Sequence, residues 1–102
     1  MRISFDEARA LLDAEPETLI LDVREEAEYV TGHARDAILF PLDEIDEDSA
    51  EEVIPGKDTP VLVYCKTGRR SLAAAMRLEK LGYTRVYDLG SLIHWPYGMS
   101  VD

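Results

Sequence analysis

The sequence predicts an α/β domain in three layers, with a central parallel sheet of about four to five strands and helices on both faces. Short apolar runs typical of buried strands alternate with amphipathic segments typical of helices. Such alternation favours a parallel sheet, because each crossover segment packs back onto a face of the sheet. The chain has 102 residues, of which 46% are hydrophobic, which suffices for one core. We therefore predict a single domain over residues 1–102.

The predicted elements follow from apolar runs and their boundary residues. Strands are expected at residues 18–23, 37–40, 60–64 and 85–89. Helical segments are expected at residues 5–13, 25–30, 43–53 (acidic and irregular), 71–81 and, as a short final piece, 92–95. Ser4 and Glu7 fit a capping box at the start of the first helix. Gly82 fits the end of the helix at 71–81.

Composition restricts the function classes. The net charge is −10, from 21 acidic and 11 basic residues, which disfavours a nucleic-acid surface because phosphate binding needs clustered cations. The acidic residues of 43–52 are most simply a solvated face. We find no signal peptide and no apolar run long enough to span a membrane. A lone cysteine suits a reducing compartment, so we expect a soluble cytoplasmic protein. One cysteine and two distant histidines lack metal-ligand spacing, and we expect no metal and no other cofactor.

The most distinctive segment follows the third predicted strand. The apolar run of residues 60–64 leads directly into Cys65, and the chain continues as Lys66-Thr67-Gly68-Arg69-Arg70-Ser71. Ligand sites of parallel sheets lie beyond the carboxyl ends of the strands. The backbone N–H groups of this loop, with Gly68 for flexibility, are suited to curl into an anion-binding nest. The dipole of the following helix and the nearby cations favour a thiolate over a thiol.

Two interpretations of Cys65 compete. Lone cysteines are usually inert, buried small hydrophobes. Here the following residues include Lys66, Arg69 and Arg70, a basic cluster in an otherwise acidic chain, and such a segment is not a core sequence. We therefore interpret Cys65 as an activated nucleophile.

Three blocks of sequence together resemble the rhodanese family of sulfurtransferases over nearly the whole chain. The loop resembles the family pattern of Cys, two variable residues, Gly, a variable residue, Arg and Ser. The other two blocks are Leu21-Asp22-Val23-Arg24 with Glu28-Tyr29 and Gly32-His33-Ala34, and the C-terminal segment Gly90-Ser91-Leu92-Ile93-His94-Trp95. The resemblance implies a rhodanese-like fold. It also implies a persulfide at Cys65, which takes sulfur from an anionic donor such as thiosulfate and passes it to cyanide or a thiol of low-molecular-weight or protein origin.

The resemblance also suggests roles for the other loop residues. Arg70 matches the family arginine and is expected to orient the loop and attract the anionic donor. Lys66 and Arg69 occupy variable positions and are expected to tune the preference for donor charge. Thr67 is expected to line the pocket. Ser71 is read first as the N-cap of the following helix.

Four residues outside the loop are supporting candidates. Asp22 and Arg24 lie just past a neighbouring strand end, where they either brace the loop or form a purely structural ion pair. His33 matches the family histidine and is interpreted as a hydrogen-bonding residue rather than a proton donor. Trp95 either closes one side of the pocket or belongs to the core.

Three other functions are alternatives to a sulfurtransferase. A sulfur-relay or regulatory module that binds a protein partner would have the same loop with little turnover. A cysteine-based phosphatase needs five residues between Cys and Arg, whereas Arg70 follows Cys65 after four, so we rank it lower. A thioredoxin-like oxidoreductase is disfavoured because the chain has no second cysteine to resolve a disulfide.

Overall fold

The computed structural model describes residues 1–101. The helices are α1 (Phe5–Ala14), α2 (Glu26–Tyr29), α3 (Glu47–Val53) and α4 (Arg69–Lys80), with a 3₁₀ turn at Leu42–Glu44. The strands are β1 (Leu19–Asp22), β2 (His33–Ala34), β3 (Ile38–Leu39), β4 (Val61–Cys65), β5 (Val86–Ser91) and β6 (Met99–Ser100).

Four strands form a parallel sheet in the order β3-β1-β4-β5. Strand β4 is central, and all five of its residues are buried. Its register places Tyr64 beside Asp22 of β1 and Cys65 beside Ser91 of β5. The ends of β1, β4 and β5 therefore meet at one edge of the sheet, which confirms the predicted parallel arrangement.

Alternating side chains of β4 separate the core into two layers. Val61, Val63 and Cys65 belong to the core that includes Ala50 of α3 and Ala74 of α4. Leu62 and Tyr64 belong to the second core, on the other face of the sheet, which includes side chains of α1. Because successive side chains of a strand point to opposite faces, consecutive residues of β4 serve different cores. This confirms the predicted three layers.

Local sequence signals account for the start of α1 and the end of α4. The Ser4 hydroxyl accepts a hydrogen bond from the Glu7 N–H at 3.0 Å, and a Glu7 carboxylate oxygen accepts one from the Ser4 N–H at 2.9 Å. This is the predicted capping box. Helix α4 ends before Gly82, whose φ of 100° lies in the left-handed region that favours glycine.

One prediction about the helices is wrong, and a second is only partly right. Residues 92–95 form a turn rather than a helix, in which the Trp95 N–H donates to the Leu92 carbonyl at 3.0 Å. His94 has a φ of 71°, which is incompatible with a continuing right-handed helix. The acidic segment 43–53 is divided, because Asp46 caps a separate helix α3 by accepting from the Ser49 N–H at 2.8 Å.

A second, two-stranded sheet was not predicted. Strands β2 and β6 pair antiparallel, with His33 opposite Ser100 and Ala34 opposite Met99. Each strand has only two residues, which is too short for an alternating pattern to be recognised in the sequence. The pairing brings the C-terminal segment back beside the residues that follow α2.

Candidate active site

Cys65 is the last residue of β4, at the edge of the sheet where parallel strands end. Its sulfur accepts a hydrogen bond from the Gly68 N–H at 3.0 Å and another from the Ser71 N–H at 3.3 Å. The loop therefore curls around the sulfur with backbone donors pointing inward. Such an arrangement of N–H groups stabilises a negative charge.

The loop lowers the pKa of the Cys65 thiol. Burial by itself raises the pKa of this thiol, because it disfavours the charged form. Hydrogen bonds from Ser71, Gly68 and Thr67 act in the opposite direction and together outweigh burial. The net effect is a thiol that ionises more readily than an ordinary cysteine, which increases its nucleophilicity at neutral pH.

The conformation of the loop depends on Gly68. Its φ of 97° lies in the left-handed region, and α4 begins at the next residue. A Cβ at this position would lie 3.7 Å from Gly90 Cα, an ordinary contact, so the backbone conformation rather than the space favours glycine. Ser71 is not the N-cap that the sequence predicted. It lies in the first turn of α4, and its hydroxyl donates to the Gly68 carbonyl at 3.1 Å.

A small cavity opens above Cys65. Its volume is about 200 Å³, and it is lined by Arg24, Cys65, Lys66, Leu92, Ile93 and Met99. Cys65 itself is buried, and this cavity gives a reactant a route towards it. The apolar lining comes from the turn after β5 and from β6. Sequence reasoning missed Met99 because its position depends on the two-residue pairing of β2 with β6.

The Arg70 side chain is paired with the carboxylate of Glu28. Its two terminal nitrogens donate to Glu28 at 2.6 and 3.0 Å, and this ion pair joins the first turn of α4 to α2. The hydrogen bond from Arg70 outweighs partial burial and lowers the pKa of Glu28 to about 2. Arg70 is thus in position to hold the loop, but its charge is already compensated before any anionic donor arrives. Glu28 was noted in the sequence only as part of a motif.

The ion pair of Asp22 and Arg24 forms a buried network. Arg24 Nε donates to the two Asp22 oxygens at 2.9 and 3.1 Å, and Nη2 donates to Asp22 at 2.7 Å and to the Gly32 carbonyl at 2.7 Å. The Tyr64 hydroxyl donates to Asp22 at 2.6 Å and accepts from the Ala34 N–H at 3.0 Å. Through Tyr64, the residue before Cys65, this network is joined to the end of β4, and Arg24 also lines the cavity that contains Cys65.

The remaining candidates divide between the site and the core. Lys66, Thr67 and Arg69 are exposed, and of these only Lys66 lines the cavity. His33 is buried; its Nδ1 lies 2.9 Å from the Tyr29 carbonyl and its ring stacks on that of Tyr29. Trp95 does not line the Cys65 cavity. It packs edge-to-face on Phe5 at 5.2 Å in the α1 core, which agrees with the core alternative.

Among residues 1–101, no three His, Cys, Asp or Glu side chains are grouped so as to hold a metal ion. In the same part of the chain, every helix is too short or too polar to cross a lipid bilayer.

The fold and the site define a class of protein: an α/β fold with a parallel sheet, in which the lone cysteine ends the central strand and its sulfur accepts hydrogen bonds from the backbone of the following loop. The family profile described as the Rhodanese-like domain matches residues 4–95, and the chain belongs to this family. It is 42% identical to the thiosulfate sulfurtransferase PspE of Escherichia coli K12 over 72 residues, which cover 71% of this chain and 68% of that protein.

Two further similarities extend over more of the molecule. The chain is 38% identical to a sulfurtransferase of Allochromatium vinosum over 89 residues, covering 86% of this chain and 79% of that protein. The solved structure of a rhodanese with anions from E. coli superposes with a TM-score of 0.77 at 32% identity, covering 83% of this chain and 99% of that chain. Family membership and these relatives support a sulfurtransferase activity.

Proposed function

We propose that the protein transfers a sulfane sulfur from an anionic donor such as thiosulfate to a thiophilic acceptor, through a persulfide on Cys65. The observation that carries this proposal is the loop around Cys65, in which backbone N–H groups donate to the sulfur at 3.0 and 3.3 Å. A thiolate held in this way is a ready nucleophile, and the same donors suit the terminal sulfur of a persulfide anion. The name of the E. coli relative, a thiosulfate sulfurtransferase, supports thiosulfate as the donor.

In the first step the Cys65 thiolate attacks the outer sulfur of thiosulfate. A bond forms between Sγ and this sulfur, and the sulfur–sulfur bond of thiosulfate breaks. Sulfite leaves with the electron pair of the broken bond, and Cys65 is left as a persulfide anion. The proton of the thiol has been lost to solvent beforehand, which the lowered pKa of Cys65 facilitates.

In the second step an acceptor removes the outer sulfur. Cyanide or a thiolate attacks the terminal sulfur of the persulfide, and the bond to Sγ breaks. The products are thiocyanate or a new persulfide, together with the regenerated Cys65 thiolate. Dividing the transfer into two displacements allows donor and acceptor to use the same small cavity in turn.

Other residues of the site have supporting roles in this proposal. Arg70 orients the loop through Glu28. Lys66 at the cavity wall and the exposed Arg69 further along the chain add positive charge near Cys65 in an otherwise acidic protein. Thr67 contributes its backbone N–H to the sulfur. Asp22, Arg24 and Tyr64 hold the end of β4, while His33 and Trp95 stabilise the surrounding structure. A cytoplasmic location is part of the proposal, because a reducing compartment preserves a lone thiolate.

Intact mass spectrometry after incubation with thiosulfate tests the proposal. We expect the wild-type mass to increase by one sulfur atom, and subsequent addition of cyanide to remove it. Cys65→Ala should gain nothing. Absence of the adduct in a folded wild-type protein, with sulfur donors of several classes, would refute the persulfide mechanism.

A relay with a protein partner is the second candidate. Ile93 and Met99 at the mouth of the cavity are 59% and 49% exposed, and exposed apolar side chains around a reactive centre favour contact with another protein surface. A relay predicts negligible thiosulfate:cyanide turnover together with rapid uptake of sulfur from a protein persulfide. Rapid turnover with thiosulfate and cyanide would favour the enzyme instead.

A further inference from the structure

Arg24 is held at the wall of the Cys65 cavity by its own ion pair. Its side chain is only 13% exposed, and the carboxylate of Asp22 that binds it is completely buried. Nε and Nη2 are both used, by Asp22 and by the Gly32 carbonyl. The guanidinium is therefore fixed in position before any ligand binds, and little side-chain entropy remains to be lost on binding.

The third nitrogen of the Arg24 guanidinium, Nη1, is not used by this ion pair. Within residues 1–101, Nη1 of Arg24 donates no hydrogen bond, and it is not among the buried unpartnered atoms, so its N–H groups remain available to a ligand. Arg70 differs, because both of its terminal nitrogens donate to Glu28. Of these two arginines, only Arg24 lines the cavity that contains Cys65.

The rest of the cavity wall strengthens any charge interaction with Arg24. Leu92, Ile93 and Met99 are apolar, so this side of a space of about 200 Å³ offers no side-chain hydrogen-bonding group that would compete for an anion. An apolar wall also lowers the local dielectric constant, which strengthens a nearby charge–charge attraction. Lys66 is the other cation of the lining, but its side chain is exposed and screened by solvent.

We propose that Arg24 binds the anionic group of the sulfur donor through Nη1, and that the cavity thereby selects donors that carry negative charge next to the sulfane sulfur. The donor would contact Cys65 with its outer sulfur and Arg24 with its oxyanion end. As the sulfur–sulfur bond breaks, negative charge accumulates on the departing sulfite, and a fixed N–H donor at that end stabilises it. This inference rests on the proposed function for the identity of the donor, but not for the charge preference itself.

Alkylation of Cys65 measures that preference without any sulfur transfer. Iodoacetate and iodoacetamide react with the same thiolate and have similar size, but only iodoacetate is anionic. We define the rate ratio as the rate with iodoacetate divided by the rate with iodoacetamide at one pH. The fraction of thiolate cancels in this ratio, which therefore measures how well the site accepts an anion beside the sulfur. We expect this ratio to be higher in the wild type than for the same protein unfolded in urea. A folded wild type with no such preference would overturn the inference.

The variants are chosen to preserve charge balance. Removing one member of a buried ion pair is more damaging than removing both, so Arg24→Gln is combined with Asp22→Asn, and the net charge is unchanged. We expect the rate ratio to fall by about tenfold, the effect of losing one charge-assisted hydrogen bond. Asp22→Asn alone is the matched control: the amide oxygen that replaces the carboxylate can still accept a hydrogen bond from Arg24 and hold it in place. Because Arg24 also keeps its charge, the rate ratio of this variant should equal or exceed that of the wild type. A folded double variant with the wild-type ratio, or an equal loss in Asp22→Asn alone, would overturn the inference.

Arg24→Lys provides the test if the double variant does not fold. Lysine retains the positive charge and can bind Asp22, but it has no additional nitrogen to leave free. The rate ratio should fall by a factor of a few, with thermal unfolding still cooperative. A folded lysine variant with the full wild-type ratio would overturn the role of Nη1.

Steady-state kinetics extends the test to the donor. In the folded double variant we expect kcat/KM for thiosulfate to fall by about tenfold, with kcat/KM for cyanide unchanged, because the two substrates react in separate steps. Equal losses for both substrates would indicate a structural effect and overturn the assignment. If the wild type takes no sulfur from thiosulfate, the proposed function fails, and the alkylation ratio still decides the role of Arg24.

Discussion

Arg70 and Glu28 form a two-point ion pair between helices α4 and α2, with nitrogen–oxygen distances of 2.6 and 3.0 Å. The pair is about one-third exposed, with side-chain exposures of 32% and 30%. It joins the helix that follows the Cys65 loop to the segment that follows β1. Because both carboxylate oxygens are engaged, the geometry is more restrictive than that of a single contact. Arg70 is therefore a positioning residue for the loop.

We predict that Glu28→Gln lowers the stability slightly and slows persulfide formation. Loss of the charge weakens the tether between α2 and α4, and a partly exposed pair of this kind contributes about 0.5–1 kcal/mol. Urea denaturation measures the stability, and stopped-flow mass spectrometry measures the rate. A double-mutant cycle with Arg70→Met isolates the pair, since Glu28→Gln should have little effect once Arg70 is absent. Additive effects of the two substitutions would contradict the tether.

The same pair predicts a dependence of stability on pH. The pKa of Glu28 is lowered to about 2 by the hydrogen bond from Arg70, so the folded state favours the carboxylate. Its stabilising contribution is complete above about pH 5 and is lost as the pH falls towards about 2. The difference in unfolding free energy between wild type and Glu28→Gln should therefore shrink from pH 7 to pH 3. A difference that stays constant over this range would contradict the assignment.

Cys65 should titrate below the pH of an ordinary thiol. Hydrogen bonds from Ser71, Gly68 and Thr67 outweigh the opposing effect of burial on its pKa. The rate of iodoacetamide alkylation should therefore reach half its maximum below about pH 8.5, the usual pKa of a cysteine. In urea the midpoint should return to the ordinary value, which serves as the control. If the alkylation midpoint of the folded protein is at or above that of the unfolded chain, the effect of burial on the pKa of Cys65 outweighs that of the hydrogen bonds, which would contradict the prediction.

Gly68→Ala should disturb the loop through its backbone rather than through a clash. The φ of 97° is unfavourable for alanine, and the expected cost is about 1–3 kcal/mol. Any relaxation of φ moves the Gly68 N–H away from the sulfur, so the alkylation midpoint of Cys65 should rise. Gly56→Ala is the matched control, because Gly56 lies outside the loop and lacks a positive φ. Equal effects of the two substitutions would exclude a special role for Gly68.

Tyr64→Phe should destabilise the fold by about 1–3 kcal/mol. It removes the hydroxyl that donates to Asp22 at 2.6 Å and accepts from the Ala34 N–H at 3.0 Å, and leaves both groups buried without this partner. Urea denaturation measures the loss. Tyr83→Phe is the control: Tyr83 is also buried, but its hydroxyl makes no hydrogen bond within residues 1–101. A loss no greater than that of the control would contradict the importance of the network.

Much of the Cys65 loop could be predicted because its determinants are close together in the chain. An apolar run, a glycine and an amphipathic helix follow one another within residues 60–81, and backbone preferences act over such short distances. The error at Ser71 is also local. The loop turns at Gly68 with a left-handed backbone, so α4 begins two residues earlier than predicted and Ser71 lies within its first turn.

The remaining parts of the site depend on segments that are far apart in the sequence. Arg70 meets Glu28 across 42 residues, and Met99 reaches the cavity through the short pairing of β6 with β2. Neither contact leaves a periodic signal in the chain. The sequence was compatible with Trp95 either at the pocket wall or in the core. Its packing against Phe5 in the tertiary structure shows that it lies in the core.

By itself, the sequence determined the α/β class, the parallel sheet and the position of the lone cysteine at the end of the central strand, because hydrophobic periodicity and helix caps are properties of neighbouring residues. The tertiary structure alone decided which arginine lies beside the reactive sulfur. Arg24 and Arg70 are equally cationic in the sequence, and both are paired with carboxylates in the folded protein. The packing of β1, β4 and β6 places Arg24, and not Arg70, against the Cys65 cavity, and its ion pair with Asp22 leaves Nη1 without a hydrogen bond within residues 1–101.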